Sequence, residues 1–121
     1  MNNKDLLILA ASAINISLDF NDHGSSGFWN NWKGYPQWNR WNSLGNDEDA
    51  FNLLVELGMF CDCYGEEIIV GWVVDKPSMK CQTVVEKVID GNKSAAVRRA
   101  ITLAAAKIHQ AFLEKIIGVD K

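Results

Sequence analysis

The longest helical pattern in the chain runs from residue 92 to residue 117, and it constrains the fold more than any other stretch. Small and aliphatic residues recur there at spacings of three and four, which puts them on one face of a helix. These residues are Val97, Ala100, Ile101, Ala104, Ile108, Ala111 and Phe112. Because alanine side chains allow a helix to approach a flat surface closely, we expect this face to lie on a β-sheet. Arg99, Ala106 and Gln110 are expected on the opposite side.

Both ends of this helix carry residues that favour a start or a stop. Asn92 is placed to cap the first turn, because its side-chain oxygen can accept a backbone N–H, and Gly91 lets the chain turn in. Gly118 is placed to end the helix, with Lys115 in the last turn facing the negative end of the helix dipole.

The N-terminal half of the chain predicts two further helices. Residues 4–14 repeat apolar side chains at helical spacing, and residues 16–20 then alternate as a short strand would. Asn46 is a natural N-cap, followed by three carboxylates at residues 47–49 that complement the positive end of a helix dipole. Gly58 is expected to end this second helix.

The segment between the second and third helices, residues 59–88, has the pattern of a sheet. Residues 68–74 are rich in β-branched side chains, and residues 80–88 alternate apolar and polar side chains. Residues 75–78 have the composition of a turn, so an antiparallel hairpin is expected. Residues 60–64 are expected to add an edge strand.

Together these elements predict an α+β fold in which a small antiparallel sheet of three to four strands packs against three helices. A chain of 121 residues is the size of one domain and can bury a core without disulfide or metal links. We therefore expect a single α+β domain over residues 1–121, with one long Trp/Asn/Gly-rich loop over residues 21–46.

Charge and cysteine content limit the partners and the compartment. A net charge of −3 argues against a general binder of nucleic acid or of a membrane surface, because both require a basic field. Three cysteines cannot all pair within one chain, which favours a reducing compartment. Residues 6–13 imitate the apolar part of a secretory leader, but their length and flanking charges fit one poorly. We expect a soluble, cytoplasmic protein that makes no membrane contact.

The Trp/Asn/Gly-rich segment over residues 21–46 carries four of the five tryptophans within thirteen residues. A structureless loop of this length is uncommon in a compact domain and is often functional, and part of it is expected to form a hairpin. Tryptophan offers a large rigid stacking surface and is enriched among interface anchors. The candidate binding residues of the segment are Trp29, Trp32, Tyr35, Trp38, Arg40 and Trp41. Trp41 adjoins the second helix, so a role in the core is weighed equally with binding there.

Two consecutive arginines, Arg98 and Arg99, complete the set of candidate binding residues. Their guanidinium groups can grip a phosphate or an acidic partner in a bidentate manner. The alternative is pairing with the carboxylates at residues 47–49 or simple solvation, and this structural interpretation is favoured because surface charges contribute little. Arg99 points further from the apolar stripe and is the better candidate for an outside partner.

No residue pattern predicts catalysis, a metal site or a cofactor. Cys61 and Cys63 would share one face of a strand, and Cys81 on a neighbouring strand leaves a convergence open, but the spacing is not that of a zinc loop. His23 and His109 have no serine or cysteine placed beside them by the sequence. The glycines match neither a nucleophile elbow nor a phosphate-binding loop. We therefore expect no catalytic residues, no metal and no cofactor.

Two motifs, each made of two short stretches, occur in the same order and at a similar spacing in a group of known sequences. The first is a turn at residues 41–44 (WNSL) followed by an acidic helix start at residues 47–57 (DEDAFNLLVEL). The second is residues 96–101 (AVRRAI) followed by residues 104–108 (AAAKI). In these features the chain resembles the small proteins called phage ABA-sandwich-like proteins, with Ser43 standing where that pattern favours proline. The resemblance implies a fold and a phage or prophage setting, and it implies no functional residues.

The leading hypothesis is a non-enzymatic phage or prophage accessory protein that acts by binding. We expect a host-directed or counter-defence role in which the Trp-rich loop occupies a host or phage protein. The alternative is a binder of a nucleotide or of single-stranded nucleic acid, for example one that sequesters a signalling nucleotide. In that case tryptophans stack on bases while Arg98 and Arg99 contact phosphate. An enzyme of another type and a homo-oligomer are left open.

Overall fold

The computed structural model describes residues 1–117, which form three helices and six strands. The helices are α1 (Asn3–Ser12), α2 (Asp47–Glu56) and α3 (Lys93–Ile117). The strands are β1 (Asp19–Phe20), β2 (Ser26–Trp32), β3 (Tyr35–Arg40), β4 (Phe60–Tyr64), β5 (Glu67–Asp75) and β6 (Lys80–Lys87). The α+β class is confirmed. Where the sequence predicted one sheet of three to four strands, the strands form two antiparallel sheets of three, β1-β2-β3 and β4-β5-β6.

Helix α3 is the central element, because α1, α2, β5 and β6 all pack against it. Asn92 caps its first turn as predicted, accepting a hydrogen bond from the backbone N–H of Ala95 at 3.1 Å. The predicted contact with a sheet is confirmed for the earlier part of the helix. Ala111 and Phe112, predicted on the same face, are exposed, whereas Ala106, predicted on the opposite side, is buried. A helix covered by other helices as well as by a sheet requires small side chains around most of its circumference. The predicted stop at Gly118 lies outside the described residues.

The β4-β5-β6 sheet presents one face to the helices and the other face outwards. Ile68, Val70 and Trp72 of β5 alternate onto the inner face and are buried. Phe60 of β4 lies on the outer face in register with Gly71, and its ring occupies the space above that glycine. The predicted turn between β5 and β6 and the predicted edge strand β4 are both confirmed.

The two shorter helices match the predicted positions more closely than the first strand does. Asn46 caps α2 as predicted, accepting a hydrogen bond from the backbone N–H of Asp49 at 2.9 Å. Helix α1 occupies most of the predicted stretch over residues 4–14. The strand predicted over residues 16–20 is reduced to the two residues of β1, because only Asp19 and Phe20 pair with β2.

The hydrophobic core lies between α3 and the inner sheet face. Leu7 and Ala10 of α1, Leu53 of α2 and the ring of Trp41 complete it. None of the described helices is both long enough and apolar enough to cross a membrane.

Candidate binding surface on the aromatic hairpin

Most of the segment predicted as a loop forms a β-hairpin, which we call the aromatic hairpin (residues 26–40, β2 and β3). Trp32 and Tyr35 face each other at its tip, on either side of a two-residue turn. Both turn residues are left-handed, with φ of 52° at Lys33 and 85° at Gly34. This is the type I′ geometry that matches the twist of the flanking strands. The turn therefore fixes the register of the tryptophans.

The central tryptophan pair stabilises the aromatic hairpin from one side. The backbone N–H of Trp41 donates to the carbonyl of Ser26 at 3.1 Å, so these two residues form a hydrogen-bonded pair. Along an antiparallel ladder, hydrogen-bonded and non-hydrogen-bonded residue pairs alternate. Trp29 and Trp38, three pairs further along, therefore form a non-hydrogen-bonded pair, in which side chains approach most closely. Their rings meet edge to face, with centroids 5.2 Å apart and planes inclined by 61°.

The aromatic hairpin has two different faces because paired residues share a face. Trp29, Trp38 and Arg40 lie on one face, and Trp32 and Tyr35 lie on the other. Trp29, Trp32 and Tyr35 are 60%, 57% and 72% exposed, whereas Trp38 is half-buried. Four of the six residues predicted from this segment are therefore displayed around one two-stranded element, and Arg40 joins them at its base.

Positive charge accompanies the exposed rings on both faces. The Lys33 ammonium group lies over the Trp32 ring, 4.7 Å from its centroid, which is a cation–π contact. Arg40 is exposed, and within residues 1–117 its guanidinium group makes no salt bridge. The aromatic hairpin therefore offers stacking surfaces with a cation on each face, Lys33 over Trp32 and Arg40 on the face of Trp29 and Trp38.

Trp41 differs from the other predicted binding residues. Only 4% of its surface is exposed, and its ring belongs to the hydrophobic core. Its carbonyl accepts a hydrogen bond from the Ser26 hydroxyl at 2.6 Å. Of the two roles weighed for Trp41, the structure gives it the core role, because its ring is not accessible to an outside partner.

The two arginines of α3 contact different neighbours. Arg98 donates from Nε to the Leu44 carbonyl at 2.9 Å and from a terminal nitrogen to the Asp47 carboxylate at 2.7 Å. Arg99 lies 3.6 Å from the Glu86 carboxylate and donates to the Asn3 side chain at 3.3 Å. The predicted Arg98 and Arg99 thus hold α2, β6 and α1 against α3, and their hydrogen bonds and salt bridges involve no residue of the aromatic hairpin.

A polar cleft at the base of the aromatic hairpin escaped the sequence analysis. It has a volume of about 520 Å³, and its polar side chains include Arg40, Asn42, Glu48 and Asp49. Asp49 accepts a hydrogen bond from the backbone N–H of Asn42 at 2.8 Å. Burial nevertheless raises the pKa of the Asp49 carboxyl above its ordinary value, and the neighbouring Glu48 charge adds to that shift. The sequence did show the acidic start of α2, and this was the one feature from which the cleft could have been predicted.

A second cavity, the α2–α3 groove, also escaped the sequence analysis. It has a volume of about 660 Å³ and lies between the first halves of α2 and α3. Its apolar lining is Ala50, Phe51, Leu54, Cys61, Val97 and Ile101, and its rim is Asp47, Glu48, Lys93, Ser94 and Arg98. Burial raises the pKa of the Cys61 thiol, and the neighbouring Cys63 contributes further. The groove thus holds a protonated thiol on an apolar wall.

The cysteines do not converge. Cys61 and Cys63 share the inner face of β4, in register with Val70 and Ile68, whereas Cys81 pairs with Val73 on the outer face. Among residues 1–117 there is no group of three His, Cys, Asp or Glu side chains that could hold a metal ion.

Comparison of the chain with known protein families, with curated proteins and with solved structures found no match.

Proposed function

We propose that this protein acts by binding a macromolecular partner through the aromatic hairpin, without catalysing a reaction. The observation that carries the proposal is the exposure of Trp29, Trp32 and Tyr35 on a hairpin whose register is fixed by a type I′ turn. Large apolar rings in water are a liability unless a partner covers them. A preformed hairpin also loses little conformational entropy when it binds, which favours affinity.

The partner we favour is a protein. Tryptophan and tyrosine dominate the energetic centres of protein interfaces, because each buries a large area and keeps a hydrogen-bonding group. Asn30, Asn31 and Gln37 interleave with the rings and provide adaptable hydrogen bonds at the rim of such a contact. An acidic chain also gives little general affinity for nucleic acid.

A phage or prophage setting, with a host-directed or counter-defence role in the bacterial cytoplasm, completes this proposal. Its support is the sequence resemblance of the stretches at residues 41–57 and 96–108. The setting defines where the partner is to be sought, namely among the soluble proteins of a bacterial host.

The test is affinity capture from bacterial lysate with wild-type protein and with the triple variant W29A/W32A/Y35A. These side chains are exposed, so the variant keeps the core, and circular dichroism checks that the aromatic hairpin persists without the Trp29–Trp38 pair. The matched control is Y64A, because Tyr64 is 73% exposed on β4, away from the aromatic hairpin. We expect partners retained by wild type and by Y64A to be lost from the triple variant. Retention of the same partners by all three proteins would remove the aromatic hairpin from the function.

A nucleotide or single-stranded nucleic acid is the second candidate partner. The specific observation in its favour is Arg40, which lies on the same hairpin face as Trp29 and Trp38 and makes no salt bridge within residues 1–117. A base stacked on an indole would place its phosphate near such a cation. Arg98 and Arg99 are less suited to this role than the sequence suggested, because both already bind side chains of this protein.

Nucleotide binding predicts quenching of tryptophan fluorescence and an affinity that falls as salt rises. R40Q should weaken such binding and reduce its salt dependence, whereas R99Q should leave both unchanged. Absence of quenching at millimolar nucleotide and at high concentrations of a single-stranded oligonucleotide would exclude this candidate.

A further inference from the structure

The end of α3 is an apolar surface that the proposed function does not use. In the α3 tail, which we define as residues 108–117, four large apolar side chains are between 37% and 68% exposed. They are Phe112, Leu113, Ile116 and Ile117. They form two pairs at a spacing of four residues, so they make one continuous strip along nearly two turns of helix. The α3 tail is therefore an amphipathic helix without a partner for its apolar side among the described residues.

The α2–α3 groove is the surface of this protein that best fits such a helix. Its walls are two helices, and the space between them is apolar, which is the setting in which an amphipathic helix is bound through residues at i and i+4. Phe51 extends the apolar wall towards solvent, where it is 59% exposed, and Val55 follows one turn later on α2. A helix packed here would cover both the groove and these exposed side chains.

The charges of the two surfaces are complementary. At 100° per residue, Glu114 and Lys115 fall on opposite edges of the apolar strip of the α3 tail. On the groove, the α2 wall carries Glu48 at its rim and the α3 wall carries Lys93. Asp47 is already neutralised by Arg98 at 2.7 Å. One orientation of the tail in the groove therefore places Lys115 beside the α2 wall and Glu114 beside the α3 wall.

The tail cannot reach the groove of its own chain. Val97 and Ile101 of the groove and Phe112 of the tail belong to one continuous 25-residue helix, which spans roughly 37 Å. A rigid helix does not fold back on itself, so the tail that fills the groove comes from another molecule. Two chains with antiparallel α3 helices place each tail at the other groove, which gives a closed, two-fold symmetric pair of identical contacts.

We propose that the protein forms a homodimer in which the α3 tail of each chain occupies the α2–α3 groove of a second copy. The dimer buries two amphipathic helix ends and two apolar grooves at once, and it leaves the aromatic hairpins available for another partner. This inference is independent of the proposed function, because it uses none of the hairpin residues.

Sedimentation equilibrium of three variants and wild type tests the dimer. The tail variant is F112D/I116D, the groove variant is F51D, and the control is I89D, because Ile89 is 72% exposed and belongs to neither surface. We expect wild type and I89D to have twice the mass of one chain. The tail and groove variants should each raise the dimer dissociation constant by roughly 100-fold or more, as loss of a central apolar anchor does. Because all substituted residues are exposed, we expect each variant to stay folded. Circular dichroism checks this.

Mixing the two variants distinguishes tail-to-groove contact from pairing of two tails. A tail variant retains an intact groove and a groove variant retains an intact tail, so the mixture should form a heterodimer through one remaining contact. We expect dimers in the mixture at concentrations where each variant alone is a monomer. A monomeric wild type at sub-millimolar concentration would overturn the proposal. So would a groove variant that dimerises like wild type, or a mixture that stays monomeric.

Discussion

At the scale of single residues, two glycines show how tightly the strands are covered. A Cβ on Gly27 would meet the backbone carbonyl of Asn39 and lie 2.8 Å from the Trp38 ring. The nearest atoms that a Cβ on Gly71 would meet belong to the ring of Phe60, which is partly exposed. Backbone and a packed indole cannot move aside cheaply, whereas a surface phenylalanine can rotate away.

We therefore expect G27A to be destabilising and G71A to be nearly neutral. Overpacking of this kind costs about 1–3 kcal/mol, and it should appear in the free energy of unfolding of G27A measured with urea. G71A serves as the matched control, because it adds the same methyl group to a strand. Equal stability losses in the two variants would contradict the difference between the rigid surroundings of Gly27 and the yielding surroundings of Gly71.

Two buried hydroxyl groups link the turn before α2 to the central helix. Thr102 donates to the Arg98 carbonyl at 2.7 Å, so its only proton is used and the Ser43 hydroxyl is the donor in the 2.7 Å contact between them. Both side chains are fully buried. Removing Ser43 and removing Thr102 should affect stability differently. Without the Ser43 hydroxyl, Thr102 still has its hydrogen bond to Arg98, whereas without the Thr102 hydroxyl, Ser43 has no hydrogen bond.

S43A should cost about 1 kcal/mol, since Thr102 still donates to the Arg98 carbonyl. T102V should cost more, about 1–3 kcal/mol, because it leaves the Ser43 hydroxyl buried without a partner. The double variant should lose less than the sum of the two, and urea unfolding of all four proteins measures this coupling. Strictly additive losses would show that the two hydroxyls do not interact.

The Asp49 carboxyl predicts a specific pH dependence. Its pKa is raised above 3.8 in the folded protein, chiefly by burial, so the folded state holds this proton more tightly than the unfolded state does. The resulting stabilisation is present below pH 3.8 and is lost as the pH rises through the folded-state pKa. Asparagine does not titrate, so D49N does not lose stability in this way. The free energy of unfolding of D49N relative to wild type should therefore rise as the pH increases from 3.8 through the folded-state pKa, and then stay constant. Urea midpoints measured from acid to neutral pH check this, and the opposite trend would contradict it.

At the scale of elements, the aromatic hairpin explains how a segment rich in asparagine and glycine becomes ordered. Its turn is left-handed at two consecutive residues, and the Trp29–Trp38 pair closes across a non-hydrogen-bonded position. Pro36 pairs with Asn31 at another such position in the edge strand β3, where a missing N–H removes no ladder bond. The local sequence and the pairing therefore agree with each other.

Substitutions at the two turn residues are expected to change the stability of the protein in opposite directions. G34A forces a Cβ into a left-handed conformation and should destabilise the protein by about 1–2 kcal/mol. K33N should be neutral or stabilising, because asparagine is preferred at the first position of a type I′ turn. Thermal unfolding followed at the circular dichroism band of the Trp29–Trp38 pair measures both effects. A stable G34A would show that the turn does not set the register.

At the scale of the whole molecule, four of the five tryptophans divide into two populations, and Trp38 is half-buried. Trp41 and Trp72 are in the core, whereas Trp29 and Trp32 face solvent. Iodide should therefore quench only part of the fluorescence, and W29A/W32A should remove most of the quenchable fraction while the remaining emission stays shifted to the blue. Complete quenching of wild type would show that the core tryptophans are accessible, and absence of quenching would remove the exposed surface that the proposed function requires.

The sequence predicted the elements whose signals are local. The caps at Asn46 and Asn92, the β5–β6 hairpin and the α+β class depend on neighbouring residues, and all of them are confirmed. The sequence did not separate Trp41 from the other tryptophans of its segment, because burial of one ring depends on what packs against it. The burial of Ala106 was not predicted for the same reason. Helical periodicity identifies one buried face, whereas α3 packs against several elements.

The helix caps, the β5–β6 hairpin and the side-chain periodicity were thus determined by the sequence alone, because turn preferences, caps and side-chain alternation act over a few residues. The tertiary structure decided which rings are displayed, which are buried, and that Arg98 and Arg99 hold neighbouring elements in place. It also decided that α2, α3 and β4 leave an apolar groove between them. These properties arise from contacts between residues that are distant in the chain, and no local pattern encodes the shape of the space between two packed elements.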